Sequence, residues 1–262
     1  MKLAVQEGML PGRSLMERVD RAAEYGFEGV ELGGDRLCER FEEVARVFED
    51  HAVNVSTICS GYGGCLLDPD KVQRDRAVED IQRLLEAGGR LGAVGLICVP
   101  VFGGPRLPDL SPLKPTRTLE MDLLVDLLGP LSETAAQAKC LLLIEPLNRY
   151  ETHLINRLTQ AIAVARRVGS KGIAVMADLF HMSIEEDDPA EAIRAAGKHI
   201  RHVHLADSQR LQPGTGHTNF RAAFRALRET GFSDYMALEC GLRGRPGAAL
   251  SECVKFLKKQ LR

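Results

Sequence analysis

Residues 141–156 read LLLIEPLNRYETHLIN, an aliphatic run that breaks at Glu145 into a polar segment holding Asn148, Arg149, Glu151, His153 and Asn156. Four consecutive aliphatic side chains without polar alternation fit a strand covered on both faces, the pattern of a parallel sheet. The strand then ends in a carboxylate, and a second one, Glu151, follows six positions later. A charge at the end of an apolar strand is costly unless it is paired or binds a metal. The rest of the chain has to supply the partner.

The same rhythm recurs along the chain. Strand-type runs fall at 2–6 (KLAVQ), 29–34 (GVELGG), 54–60 (NVSTICS), 94–101 (VGLICVPV), 140–147 (CLLLIEPL), 173–179 (IAVMADL), 200–207 (IRHVHLAD) and 235–240 (YMALEC), eight in all. Between them lie amphipathic segments. SLMERVDRAAEYGF places Leu15, Met16, Val19, Ala22 and Ala23 near the 3.6-residue period, and DKVQRDRAVEDIQRLLEAGGRLG closes on glycines. Further helices fit LEMDLLVDLLGPLSETAAQAK, TQAIAVARRVG, DPAEAIRAAGK, NFRAAFRALRETG and LSECVKFLKKQL. Strict strand–helix alternation over eight repeats predicts a (β/α)8 TIM barrel, a single domain over residues 1–262. An open doubly wound sheet is the alternative, but no GxGxxG follows the first strand.

Hydrophobic residues make up 45% of the chain, enough for a packed core, and 34 basic against 36 acidic residues leave a formal charge of -2. That balance gives no field for a polyphosphate partner, so no nucleic acid is expected. The cysteines, at 38, 59, 65, 98, 140, 240 and 253, are odd in number and form no CxxC pair. This speaks against a disulfide framework and a thiolate zinc site, and points to reduced thiols in a cytoplasmic protein. No apolar run approaches the roughly 18 residues of a membrane span. The opening MKLAVQEGML has too short an apolar stretch for a signal peptide. The expected partner is a small molecule, with a homo-dimer or homo-tetramer left open.

In a barrel of this kind the active site lies where strands lead into their helices. The fifth strand ends in Glu145 and the sixth in Asp178, with His181 three residues on; the seventh carries His202 and His204, and the eighth ends in Glu239. Glu145, Asp178, His204 and Glu239 offer three carboxylates and one imidazole, a hard set suited to manganese, magnesium or cobalt. A substrate with adjacent oxygens could take the remaining octahedral positions. We read His202 and His204 as facing opposite sides of their strand, with His204 inward because Arg210 follows at loop distance. Each residue also has an ordinary reading. Glu145 could pair with Arg149, Asp178 could cap the following turn, Glu239 could pair with Arg243 or Arg245, and Cys59 and Cys240 suit small core residues better than nucleophiles.

EPLNRYETHLIN, ADLFHM, HVHLADSQRLQPGTG and ALEC together resemble the metal-dependent ketose 3-epimerases of the D-tagatose and D-psicose type, within the wider xylose-isomerase-like barrel superfamily of sugar phosphate isomerases and epimerases. The likeness is close over residues 140–240 and rests only on the strand–helix rhythm before that. It implies one divalent ion, Mn2+ first and Mg2+, Co2+ or Zn2+ as alternatives, on Glu145, Asp178, His204 and Glu239. It also implies substrate contacts at Glu151, His181 and Arg210, and a sugar or related polyol ketone as substrate. Glu145 and Glu239 would then be the catalytic pair, taking a proton from one face of the carbon beside the ketone and returning it to the other through an enediolate. Asn148 and Arg149 would shape the turn between the two glutamates.

The chain departs from the resemblance in having no tryptophan; Phe220 stands after the PGTG loop where those epimerases often place one. Loops 59–69 and 101–115, rich in glycine and proline, are expected to line the pocket and set specificity. An inosose dehydratase or 3-keto-glycoside lyase would use the same residues. An apurinic endonuclease of the same barrel is weaker, because the early strand ends, ELGGD and STICSG, lack the histidines such enzymes need.

Overall fold

Parallel pairing runs unbroken around a ring of eight strands, each hydrogen-bonded to the next and the eighth back to the first, in a computed structural model that describes residues 1–262. The strands are β1 (Lys2–Gln6), β2 (Gly29–Gly33), β3 (Asn54–Cys59), β4 (Gly95–Cys98), β5 (Leu141–Ile144), β6 (Ile173–Asp178), β7 (Ile200–Leu205) and β8 (Tyr235–Leu238). All eight expected strands are present, and the closed (β/α)8 barrel is the fold. Strands β4 and β5 stop three residues short of the apolar runs that announced them. Pro100 and Pro146 follow closely, and neither can donate to the ladder.

The helices are α1 (Leu15–Tyr25), α2 (Phe41–Phe48), α3 (Lys71–Arg90), α4 (Thr116–Ala138), α5 (Leu158–Val168), α6 (Leu179–Glu185), α7 (Pro189–Ala196), α8 (Phe220–Glu229) and α9 (Pro246–Gln260). Several are started by side-chain caps, as at Ser14 to Glu17 N, Asp70 to Val72 N and Asp188 to Ala190 N. Helices α2 and α6 were not evident from the sequence. With eight and seven residues, each completes only about two turns, too few for a clear period.

Apolar packing divides in two. The larger cluster holds 60 buried residues, among them Val30, Leu32, Leu142, Ile144, Phe220 and Phe224, and fills the layer between sheet and helices. Phe220 belongs to it, its ring 5.9 Å from that of Phe256. Smaller clusters, Ile97, Leu143, Ala174 and Met176, and Ala4, Tyr235 and Ala237, occupy alternate strand positions and fill the barrel's interior. Room for them comes from glycines. A Cβ on Gly29 would stand 2.7 Å from the Tyr235 ring, and one on Gly95 would meet Leu143 at the same distance.

Going up every strand except β4 from this interior level, the next inward residues are Gln6, Glu31, Cys59, Glu145, Asp178, His204 and Glu239. The apolar plug is therefore the floor beneath them. Leu143→Ala should lower the unfolding free energy by about 2–5 kcal/mol, as cavity-forming changes in cores do, measured by urea denaturation. A loss under about 1 kcal/mol would mean that this plug bears little of the fold.

Candidate active site

One oxygen each from Glu145, Asp178 and Glu239 and one nitrogen of His204 lie within 4.8 Å of one another. Asp178 and His204 are register partners across β6 and β7, so their side chains enter side by side. Glu145 sits one residue beyond β5 but still donates its N–H to the Cys98 carbonyl at 3.1 Å, which keeps it on the barrel wall. His204 Nδ1 faces Glu239 Oε2 at 3.0 Å, Asp178 Oδ2 at 3.5 Å and Glu145 Oε1 at 3.6 Å. None of these contacts has hydrogen-bond geometry, so Nδ1 is a buried nitrogen without a partner.

Its other nitrogen is engaged. Nε2 lies 3.0 and 3.1 Å from the two oxygens of Glu31, a wholly buried carboxylate on β2. Glu31 also accepts from Thr57 Oγ1 at 2.6 Å and Gln6 Nε2 at 3.0 Å, and lies 2.9 Å from His202 Nε2. Burial alone would raise this carboxyl, but the charge on His204 and the bonds from both histidines hold it well below the usual range. A carboxylate gripping Nε2–H fixes which nitrogen keeps its proton when the ring is neutral, and turns Nδ1 toward the three acids. Such a carboxylate–histidine pair supports many metal sites.

This corrects the reading of His202. Residues two apart on a strand share a face, and both histidines point into the barrel, their rings 5.2 Å apart. Glu31, Gln6 and Thr57 went unnoticed in the sequence, although a glutamate inside the apolar run GVELG was the available signal.

The acids respond differently to their setting. Burial, with the neighbouring charges of Glu239 and Asp178 behind it, pushes the Glu145 carboxyl up to about 7 despite His204. Burial would also raise Asp178 and Glu239, but Arg210 and His204 at Asp178, and His204 then Arg210 at Glu239, hold both below their ordinary range. The imidazole of His204, which burial disfavours as a cation, is nevertheless raised well above normal by Glu239 and Glu31. Three acids around one basic nitrogen are thus poised to hold positive charge. A divalent cation could replace the proton there, since a metal and a proton compete for the same lone pair. The donor set fits such an ion. Cys59 Sγ is 3.8 Å from Glu239 Oε1, and burial followed by the charge of Glu31 lifts its thiol well above normal. Burial pushes the Cys240 thiol up to about 12, so in both residues the thiolate is disfavoured.

All three residues expected to meet substrate adjoin this cluster. Arg210, at the left-handed φ of 59°, bridges Asp178 Oδ2 and Glu239 Oε2 and lies 4.9 Å above the Phe180 ring. His181 Nδ1 accepts from the Asn148 backbone N–H at 3.2 Å and lies 2.8 Å from Asn148 Nδ2, so its proton is on Nε2, 3.9 Å from Asp178 Oδ2. Burial lowers the His181 pKa, which keeps the ring a neutral donor. Glu151 accepts from Asn148 Nδ2 at 2.8 Å, and its side chain keeps 44% exposure at the mouth.

Two of the ordinary pairings are overturned. Arg149 binds Glu185 on α6 through its backbone N–H and its guanidinium, leaving Glu145 free. Glu239 pairs with Arg210, not with Arg243 or Arg245. Asp178 does cap α6, with Oδ1 accepting from Phe180 N at 2.8 Å and His181 N at 3.2 Å, while Oδ2 faces the cluster.

Residues 19–260 match the family described as the xylose isomerase-like TIM barrel, and the chain belongs to it. Over 261 residues, 98% of this chain and 99% of the relative, it is 32% identical to the 3-dehydro-D-guloside 4-epimerase of Escherichia coli (strain K12). It is 38% identical over 233 residues to the D-psicose 3-epimerase of Enterocloster bolteae, covering 84% of this chain and 75% of that enzyme. The crystal structure of apo 3-keto-D-glucoside 4-epimerase from E. coli aligns with a TM-score of 0.90 at 31% identity, covering 99% of both chains. No helix is long and apolar enough to cross a membrane.

Replacing Glu31 with glutamine tests the buried support. An amide can donate to His204 Nε2, which moves the ring proton to Nδ1 and turns it against a cation. Glu31→Gln should weaken Mn2+ binding by about 10–100-fold, the usual cost of losing an outer partner of a metal ligand, read by calorimetry with Mn2+ alone. Unchanged affinity would show that Glu31 does not set the tautomer.

Proposed function

We propose that this protein is a divalent-metal-dependent sugar epimerase that inverts the carbon beside a ketone, with a 3-keto-glycoside as substrate and inversion at the neighbouring C4. The observation that carries this reading is the ring of three carboxylates around the unpartnered His204 nitrogen, at the catalytic end of a closed barrel. Near end-to-end similarity to a 4-epimerase of a 3-dehydro-guloside supports the glycoside as substrate. The match to a D-psicose 3-epimerase favours free ketoses as a second reading, with the same chemistry at C3. In both, the inverted carbon adjoins the carbonyl.

Glu145, Asp178, His204 and Glu239 would hold the ion, and Mn2+ is our first choice ahead of Mg2+, Co2+ and Zn2+ because oxygen donors dominate. A bound ion would supply Lewis-acid polarisation of the ketone, which acidifies the proton on the neighbouring carbon. Glu145 and Glu239 exchange that proton. They enter from β5 and β8, three strands apart on the ring, so one carboxylate can meet each face of the carbon. His181, through Nε2–H, and Arg210 donate to the substrate oxygens, and Glu151 accepts from sugar hydroxyls at the mouth. The seven free thiols support a reducing, cytoplasmic setting.

The test is a substrate panel of 3-keto-glycosides, free ketoses, aldoses and inososes with added Mn2+, run in deuterium oxide. The epimerised product should carry solvent deuterium at the inverted carbon. Glu145→Gln and Glu239→Gln should each lower kcat by about 10²–10⁴-fold, the contribution of a positioned acid or base. Full turnover by demetallated protein would remove the metal from the reaction, and a product that has lost its aglycone or water would make the protein a lyase or dehydratase using the same residues.

A further inference from the structure

Glu120 lies on α4, outside the cluster, yet its side chain has no solvent exposure and the proposed chemistry does not use it. Its Oε1 accepts from the backbone N–H groups of Arg106 at 2.8 Å and Leu107 at 3.4 Å, in the loop after β4. Its Oε2 lies 2.6 Å from Nε2 of His153, in the loop after β5. The other ring nitrogen, His153 Nδ1, is 3.0 Å from the Gly103 carbonyl. A carbonyl only accepts, so Nδ1 carries its proton, and the short Nε2 contact requires another proton between ring and carboxylate. The link is therefore a short, part-buried hydrogen bond between ring and carboxylate.

Around it the two loops are sewn together. Gly103 donates its N–H to the Glu151 carbonyl at 2.7 Å, His153 donates its N–H to the Gly103 carbonyl at 3.1 Å, and Thr152 Oγ1 donates to the Val101 carbonyl at 2.7 Å. From α4, Arg117 donates to the carbonyls of His153 at 2.7 Å and Leu154 at 2.6 Å. Glu151 sits inside this seam. Its carbonyl is one of the stitches, while its carboxylate turns to Asn148 and the pocket mouth. The β4 loop thus holds the backbone beneath Glu151.

We propose that His153 and Glu120 are positioning residues for Glu151: their hydrogen bond clamps the β4 loop against the β5 loop and sets where the Glu151 carboxylate meets substrate. The proposal rests on reading Glu151 as a substrate-binding group. Neither His153 nor Glu120 belongs to the metal cluster or to the proton-transfer pair, so their loss should act on binding more than on chemistry.

Two measurements on the full chain decide it. Hydrogen exchange of residues 101–107 and 150–154 reads the seam, and steady-state kinetics on the keto-sugar that turns over reads Glu151. His153→Ala and Glu120→Ala should both speed exchange in the two segments and raise KM about tenfold with kcat held within about threefold, the signature of lost uniform binding. Glu120→Gln is the rescue. Its amide can donate to a neutral His153 Nε2 while its oxygen still accepts from Arg106 and Leu107, so both readouts should stay near wild type. His153→Asn guards against a variant that fails to fold, since it keeps a donor for Gly103 and loses only the contact with Glu120; it should behave like His153→Ala. Unchanged exchange in the alanine variants would overturn the clamp, and faster exchange with unchanged KM would overturn its role in placing Glu151. Absence of turnover by the wild type on every keto-sugar would instead remove the functional reading, and with it the role of Glu151, while exchange would still judge the clamp.

Discussion

The Glu31–His204 bond is the interaction on which the site depends. A carboxylate with no solvent contact is unstable by itself, and Glu31 persists because Thr57, Gln6, His202 and His204 converge on its two oxygens. Those donors come from β3, β1 and β7, so the carboxylate joins widely spaced strands across the interior above the apolar floor. The consequence lies on the far side of the imidazole. With Nε2 engaged, Nδ1 can point only at Glu145, Asp178 and Glu239, and a basic nitrogen among three acids makes this a candidate cation site. Gln6 carries the constraint further, because the same Nε2 that donates to Glu31 also donates to Glu239 Oε1 at 2.9 Å.

Three acids at such separations repel one another, and the fold answers with positive charge and oriented dipoles. Arg210 lies across Asp178 and Glu239, and its left-handed backbone is held by a loop built on a different carboxylate. Asp207 accepts backbone N–H bonds from Ser208 and Thr218 on one oxygen and from Gly214 and Thr215 on the other. Four such bonds make the PGTG loop rigid around Asp207, and rigidity is what a strained arginine needs to stay aimed. Asp178 uses a helix for the same end, lending one oxygen to the first amides of α6 and thereby placing His181 one turn away.

Much of this was legible because a barrel converts position along a strand into position in space. Alternation of strand and helix predicted the ring, and the acids ending β5, β6 and β8 had to meet once the ring closed. What escaped notice did so for physical reasons. Glu31 sits within its strand instead of at the end, and its partners are remote in sequence, His204 standing 173 positions further along the chain. The orientation of His202 was misread, although the two-residue period of a strand places it beside His204. The rival pairings for Glu145 and Glu239 were local in sequence, whereas the structure chose Glu185 for Arg149 and Arg210 for Glu239 by shape. Short α6 hid because its first turn is set by the Asp178 cap more than by an apolar stripe.

The same logic separates the chemistry from the choice of substrate. Glu145, Asp178, His204 and Glu239 stand on or one residue beyond barrel strands, where the ladder on both sides fixes them. Glu151 stands on a loop, held by a seam to the neighbouring loop and by the turn from Asn148. A group on a strand end cannot be moved without disturbing the ring. A group on a stitched loop can be moved by changing the neighbouring loop and leaving the metal cluster alone. Full-length likeness to a glycoside 4-epimerase, together with likeness to ketose 3-epimerases, is what such a division allows. On the proposed reading, the strand-borne acids need only a ketone and the carbon beside it, and the choice of sugar falls to the loops around them, where a barrel carries its variation.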